Sequence, residues 1–240
     1  MCGIAGFTAP GRDARQWLDR MLDAIAYRGP DGRGTFIDAD LALGHLRLAI
    51  IDLAGGAQPR VDRATGDALT FNGEIYGYRN LADELRAAGV PLCDQSDTEV
   101  LFQLLRRVGV RKALERIGGM FAFAYRDGRT GALHLVRDRF GEKPLYCGVA
   151  GVGVVFGSEA GAVRAHPAFQ AAAPDLAAAY QLLQFEYVPG QASGWEGIEK
   201  VPPGSILTFD NGRVTVERYW RPRVGGGQRA VPEREAVAQL

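Results

Sequence analysis

Apolar residues along this chain recur at two alternating periods. The first apolar run, Ile4-Ala5-Gly6-Phe7, reads as a buried strand that holds the chain end in place. After the Pro10-Gly11 turn, Trp17, Leu18, Met21, Leu22 and Ile25 fall three and four apart. That is one face of a helix, with Asp13 as its cap. Short strands are predicted at 34–37 and 41–48, and another at 68–71 that runs into Asn72-Gly73. A helix follows over 78–88 and stops at Gly89. Ser96-Asp97-Thr98-Glu99 has the S-x-x-E pattern of a capping box before Val100, Leu101, Leu104 and Leu105. Capping accounts for Ser96 and Glu99, and leaves Asp97 as a first-turn acid that suits the helix dipole.

From Gly118 the texture changes to short strands at 120–125, 133–136, 145–149 and 152–156, which read as an antiparallel meander. The charged loop 137–144 inside it is expected to be solvated or internally salt-bridged. Helices near 159–164 and 175–185 and a hairpin around Asp210-Asn211-Gly212 close the globular part. Residues 221–230 read as a linker. A new helix begins at Pro232-Glu233 and stops after about two turns. The expectation is that the chain is the front part of a longer product.

Composition narrows the classes. Of 240 residues, 47% are apolar and 23% charged, as in an ordinary soluble protein. Lys plus Arg and Asp plus Glu both number 28, so the charge balance favours neither nucleic acid nor an anionic membrane as partner. No apolar run is long enough to span a bilayer, and no secretory leader is evident. Three cysteines without paired spacing argue against a disulfide framework or a zinc site. A reducing, cytoplasmic setting is the expectation, and no metal site is expected.

Candidate chemistry lies in four places. Cys2 directly follows the initiator Met, and removal of Met1 would give one residue both a thiol and a free α-amine. An unperturbed α-amine titrates at roughly 7.7–8.0, so such a nucleophile would carry its own base. The alternative is an incidental terminal cysteine. Arg47 stands in the apolar run His45–Ile51, either buried against a carboxylate or ligand, or on the solvent face of a half-buried strand. His45 reads as a packed histidine. Asn72-Gly73 is a hairpin signal, yet no strand returns immediately. An Asn amide beside a Gly N–H would also make a two-donor pocket for an oxyanion. The Gly-rich stretch 28–34 has neither the preceding strand nor the Gly-Lys-Ser/Thr of a phosphate cradle.

Taken in order, these stretches resemble the glutaminase domain of the N-terminal-nucleophile (class II) glutamine amidotransferases, especially glutamine-hydrolysing asparagine synthetases. The resemblance rests on Cys2-Gly3-Ile4, Arg28-Gly29-Pro30-Asp31, the run 45–52, Phe71–Tyr76 and Ser96–Glu99. It continues through Gly119–Phe123, Arg137-Asp138 with Gly141 and Lys143–Tyr146, Phe156–Glu159, Val201–Gly204 and Tyr219-Trp220. It implies an α+β fold, a four-layer αββα sandwich of two antiparallel sheets, over residues 2–220. It also implies a Cys2 nucleophile, an oxyanion site of Asn72 and Gly73, and a glutamine pocket formed by Arg47, Glu74, Asp97 and the backbone near Ile50 and Ile51. The short interval from Cys2 to Arg47 matches the synthetase branch.

By the same resemblance the glutaminase domain needs no cofactor. Ammonia would pass to a synthetase domain of the same longer chain, starting near residue 231 and using ATP and Mg²⁺. Its Ser-Gly-Gly-x-Asp signature is absent from these 240 residues. Tyr27 stands where the family usually has His, and Gly161 where it often has Lys. The acceptor, aspartate or another carboxylate, is therefore open, as is a homodimer. The competing readings are a stand-alone N-terminal-nucleophile amide hydrolase and a module that keeps the fold without the chemistry. The glutamine clamp counts against the first, and retention of Cys2 with Asn72-Gly73 against the second.

Overall fold

A computed structural model describes residues 1–49, 55–151, 153–222 and 232–238. Twelve strands fall into two six-stranded sheets among these residues. One contains β1 (Gly3–Thr8), β2 (Gly32–Ile37), β3 (Leu41–Arg47), β8 (Tyr146–Ala150), β9 (Gly153–Gly157) and β10 (Glu199–Lys200), in the order β10-β8-β9-β1-β3-β2. The other contains β4 (Arg60–Asp62), β5 (Asp67–Tyr76), β6 (Gly118–Arg126), β7 (Leu133–Arg137), β11 (Ser205–Asp210) and β12 (Arg213–Arg218), in the order β12-β11-β7-β6-β5-β4. All named strand pairs are antiparallel.

The period-two alternation of side chains makes the layers. In β1 and β3, Ile4, Leu41 and Leu43 point into the core between the sheets. Their neighbours Ala5, Phe7, Ala42 and Leu46 point outward against Leu18, Met21 and Leu22 of α1 (Ala14–Asp23). In β6, Ala122 and Ala124 face the other sheet, while Phe121, Phe123 and Tyr125 pack on α3 (Asp97–Arg116), which in turn packs on α2 (Tyr78–Ala87). The result is the four-layer helix–sheet–sheet–helix sandwich. Further helices are α4 (Ala160–Arg164), packed against α1, α5 (Leu176–Phe185) and α6 (Glu233–Ala238).

Several local expectations are corrected. The strands predicted as one meander divide between the sheets: β6 and β7 pair in one, β8 and β9 in the other. The loop between them is the crossover, and it is not solvated at Asp138. That carboxylate is fully buried and accepts four backbone N–H bonds, from Phe121 (3.1 Å), Phe140 (3.0 Å), Glu142 (3.0 Å) and Lys143 (2.9 Å). Arg137 donates to the carbonyls of Gly141 and Lys143 within the loop and of Val201 beyond it, so backbone carbonyls rather than carboxylates hold this guanidinium.

Asp13 sits at the start of α1 without a side-chain cap. The capping box is half formed: Ser96 Oγ accepts from Glu99 N at 3.1 Å. The Glu99 carboxylate instead takes Cys93 N, Gln103 and the Arg60 guanidinium. The hairpin at Asp210–Gly212 is present, with Asn211 and Gly212 both at positive φ.

Candidate active site

The end of β3, the middle of β5, the first turn of α3 and the residues before β1 converge on a small cleft. It is lined by Cys2, His45, Arg47, Gln58, Asn72, Gly73, Glu74, Asp97 and Lys143, among others. Six of the eight side chains or backbones expected in the site therefore meet here. Ile50 and Ile51 lie outside the described residues.

Cys2 precedes β1 by one residue, and its position is fixed by long-range contacts. Ile4 N donates to Ser158 Oγ (2.9 Å), and Ser158 N donates to Ile4 O (2.8 Å). Arg28 Nε donates to the Cys2 carbonyl (3.0 Å), and Arg28 Nη1 pairs with Glu159 at 2.7 Å. Tyr27, at the position where a His was expected, donates its hydroxyl to the same Glu159. The Cys2 thiol itself lies against Leu48, with Sγ 3.4 Å from its N–H and 3.6 Å from its carbonyl.

The strand end that carries Arg47 is shaped by the Arg28–Asp31 turn. Pro30 bridges Arg47, Asp31 N donates to Arg47 O (2.9 Å), and Asp31 Oδ2 accepts from Ala49 N (2.8 Å). A Cβ on Gly29 would lie 2.4 Å from the carbonyl carbon of Leu46, so only glycine permits this approach. Arg47 is half-buried and reaches the cleft, where it shares a strand face with His45. His45 is packed, as expected. Burial holds its imidazole down at about 4; a bond to the Phe71 backbone opposes this and the Arg47 charge adds to it. The ring is therefore neutral at physiological pH.

Asn72 and Gly73 lie inside β5, paired with β6, so no hairpin forms there. The edge of β5 facing away from β6 is read by side chains. Phe71 N donates to Gln58 Oε1 (2.6 Å), and Ile75 N donates to Asp97 Oδ2 (3.0 Å). By the two-residue period, the Gly73 N–H emerges on that edge between them, where the strand borders the cleft. A side chain at Gly73 would collide with β6, its Cβ 2.3 Å from Met120 O. The Asn72 side chain is buried, and its Nδ2 has no hydrogen-bond partner. A buried amide donor normally finds an acceptor, so an orphan beside a thiol marks a place for a ligand oxygen.

Glu74 and Asp97 bring two carboxylates to the other part of the cleft. Burial raises the Asp97 carboxyl above its ordinary range; the Ile75 N–H lowers it and the charge of Glu74 raises it further. Two acids held this way favour a cation between them. Among the described residues no cluster of three His, Cys, Asp or Glu could hold a metal, and no helix is long and apolar enough to cross a membrane.

Arg28, Ser158, Glu159, Gln58 and Lys143 are the parts that local sequence reasoning assigned no role. Their only signal was membership of the stretches that carry the resemblance, and Gln58 lacked even that.

Residues 1–220 match the model of the glutamine amidotransferase domain. "Asparagine synthetase [glutamine-hydrolyzing] 3" of Bacillus subtilis is 35% identical over 228 residues, covering 92% of this chain and 36% of the relative. The enzyme numbered 1 from the same organism is 34% identical over 227 residues, again 92% of this chain and 35% of the relative. The chain thus spans about a third of the length of these curated relatives. A solved glutamine phosphoribosylpyrophosphate amidotransferase from B. subtilis superposes with a TM-score of 0.66 at 22% identity. That match covers 92% of this chain and 50% of the other, and it shows the same fold.

Proposed function

We propose a mechanism for this chain, which belongs to the glutamine amidotransferase domain family, on the premise that Met1 is removed. Cys2 Sγ attacks the side-chain carboxamide carbon of glutamine while its thiol proton passes to the Cys2 α-amine, directly or through one water. The carbonyl π pair moves onto oxygen, and that oxyanion takes hydrogen bonds from Asn72 Nδ2 and the Gly73 N–H. Collapse of the tetrahedral intermediate breaks the C–N bond. The α-ammonium returns its proton to the leaving nitrogen, so ammonia departs and a γ-glutamyl thioester remains. Water, deprotonated by the same amine, then attacks the thioester; glutamate leaves and the thiol is restored.

The other side chains bind the substrate. Arg47 pairs with its α-carboxylate, in the planar two-point geometry that favours Arg over Lys. Glu74 and Asp97 accept from its ammonium, and backbone near Ile50 and Ile51 completes this pocket. Every step uses groups of the chain itself. ATP and Mg²⁺ would serve a synthetase region following a linker at 221–230, which would receive the ammonia and amidate a carboxylate. The names and lengths of the relatives support that arrangement.

The observation that carries the reading is the buried, partnerless Asn72 Nδ2 in the same cleft as the Cys2 thiol. Its test is acid quenching of the processed protein during turnover, followed by mass analysis of the N-terminal peptide. A γ-glutamyl adduct on Cys2 is expected. An adduct elsewhere, or steady turnover with none even under conditions that slow deacylation, would contradict the thioester route.

A further inference from the structure

Lys143 is buried, 8% exposed, and lines the cleft that holds Cys2. Its backbone is anchored in the crossover loop, with its N–H on Asp138 Oδ2 (2.9 Å) and its carbonyl accepting from Arg137 Nε (2.9 Å). The ammonium has three protons to donate, yet its hydrogen bond goes to Met1 Sδ, 3.6 Å away. A thioether is a weak acceptor. No described carboxylate forms an ion pair with Lys143, although a buried ammonium ordinarily has one. The group it touches belongs to the one residue that the proposed mechanism requires to be cut away.

We propose that Lys143 is a positioning residue for the nucleophile: once Met1 is gone, its ammonium faces the freed α-amine of Cys2 and keeps that amine in its neutral, proton-accepting form. The inference rests on the reading of Cys2 as a processed nucleophile. Met1 is joined to Cys2 through that very nitrogen, and the end of the Met1 side chain is what meets Lys143, so removing Met1 frees the amine and the ammonium's partner site together. A second positive charge is disfavoured beside the first, and the amine therefore stays unprotonated to lower pH.

The other charged groups around the cleft act in known directions. Arg28, on the Cys2 carbonyl, is offset by Glu159. From β3 come Arg47 and the neutral His45, from β5 Glu74, and from α3 Asp97. Asp138 is occupied by four backbone N–H groups. Glu74 and Asp97 favour a protonated amine, so Lys143 is the nearby cation that opposes them without serving the substrate carboxylate.

The test is the pH profile of kcat/KM for glutamate release by protein whose mass shows Cys2 as first residue, compared for wild type, Lys143→Met and Lys143→Arg. In Lys143→Met the acidic limb should move up by about one pH unit, lowering kcat/KM about ten-fold near pH 6.5 and little near pH 9. Lys143→Arg, which keeps the charge, should restore most of the acidic limb. Lys143→Gln serves the same comparison if the Met variant does not fold. An unchanged acidic limb, a downward shift, or an equal loss at every pH would overturn the proposal. An inactive wild type would instead refute the reading of Cys2, which is a separate failure.

Discussion

Asp97 accepts a 3.0 Å hydrogen bond from the Ile75 N–H, tying the first residue of α3 to the edge of β5 two places past Gly73. This bond orients a carboxylate that burial and Glu74 both disfavour in its charged form. The native state therefore holds the Asp97 proton to higher pH than the unfolded chain does. Stability contributed by this group is present in acid and is lost as pH rises through the raised pKa. Asp97→Asn, whose amide oxygen can still accept from Ile75, should thus melt a few degrees higher than wild type at neutral pH without ligand. The two should converge as the pH falls below about 4. The same variant should bind glutamine much more weakly. Thermal melts across pH check the first expectation, and a lower melting point at neutral pH would contradict it.

Asn72→Ala removes one of the two oxyanion donors and should lower kcat by about 10²–10³ with little change in KM. Because Asn72 Nδ2 has no protein partner to lose, the stability change should be small. Steady-state kinetics beside a melt separates the two effects.

Arg47→Ala should do the opposite in kinetics, raising KM for glutamine far more than Asn72→Ala does. A contact made equally in ground and transition states appears in KM, and one made only in the transition state appears in kcat. The reverse ordering would mean that the two roles are exchanged.

Glu159→Gln tests the clamp behind the nucleophile. The Arg28 side chain is only 7% exposed, so losing its carboxylate leaves a largely buried charge. The cost should be about 1–3 kcal/mol, below that of a fully buried pair because Glu159 keeps some solvent contact. Glutamate release should also fall through kcat, since Arg28 holds the Cys2 carbonyl. Denaturant melts and kinetics on the same preparation measure both.

How far the sequence was legible depends on the distance over which each feature is determined. The α1 stripe and the Asp210–Gly212 hairpin follow from local periodicity and turn chemistry, and they appear where expected. The assignment of β8 and β9 to a different sheet from β7 did not follow. Nothing within 145–157 records that its partners are Ala5–Phe7 of β1. Cys2 and Asn72 stand out by residue type and position, whereas Asp97 reads as an ordinary first-turn acid and only the resemblance points to it. Ser158 and Glu159 looked ordinary, and their work is done on Ile4 and Arg28, more than a hundred residues away in the chain. Asp138 is hidden for a different reason: its donors are mostly local, but they are backbone N–H groups, and a charged residue in a turn-rich loop reads as solvated when only side chains are compared.

The central claim is that Cys2, with its own freed amine, is the nucleophile. The most direct measurement is glutamate release from glutamine by three preparations: chain beginning at Cys2, chain retaining Met1, and Cys2→Ala. Release by the first alone is predicted. Equal release by Cys2→Ala, or by the chain that retains Met1, would contradict the account.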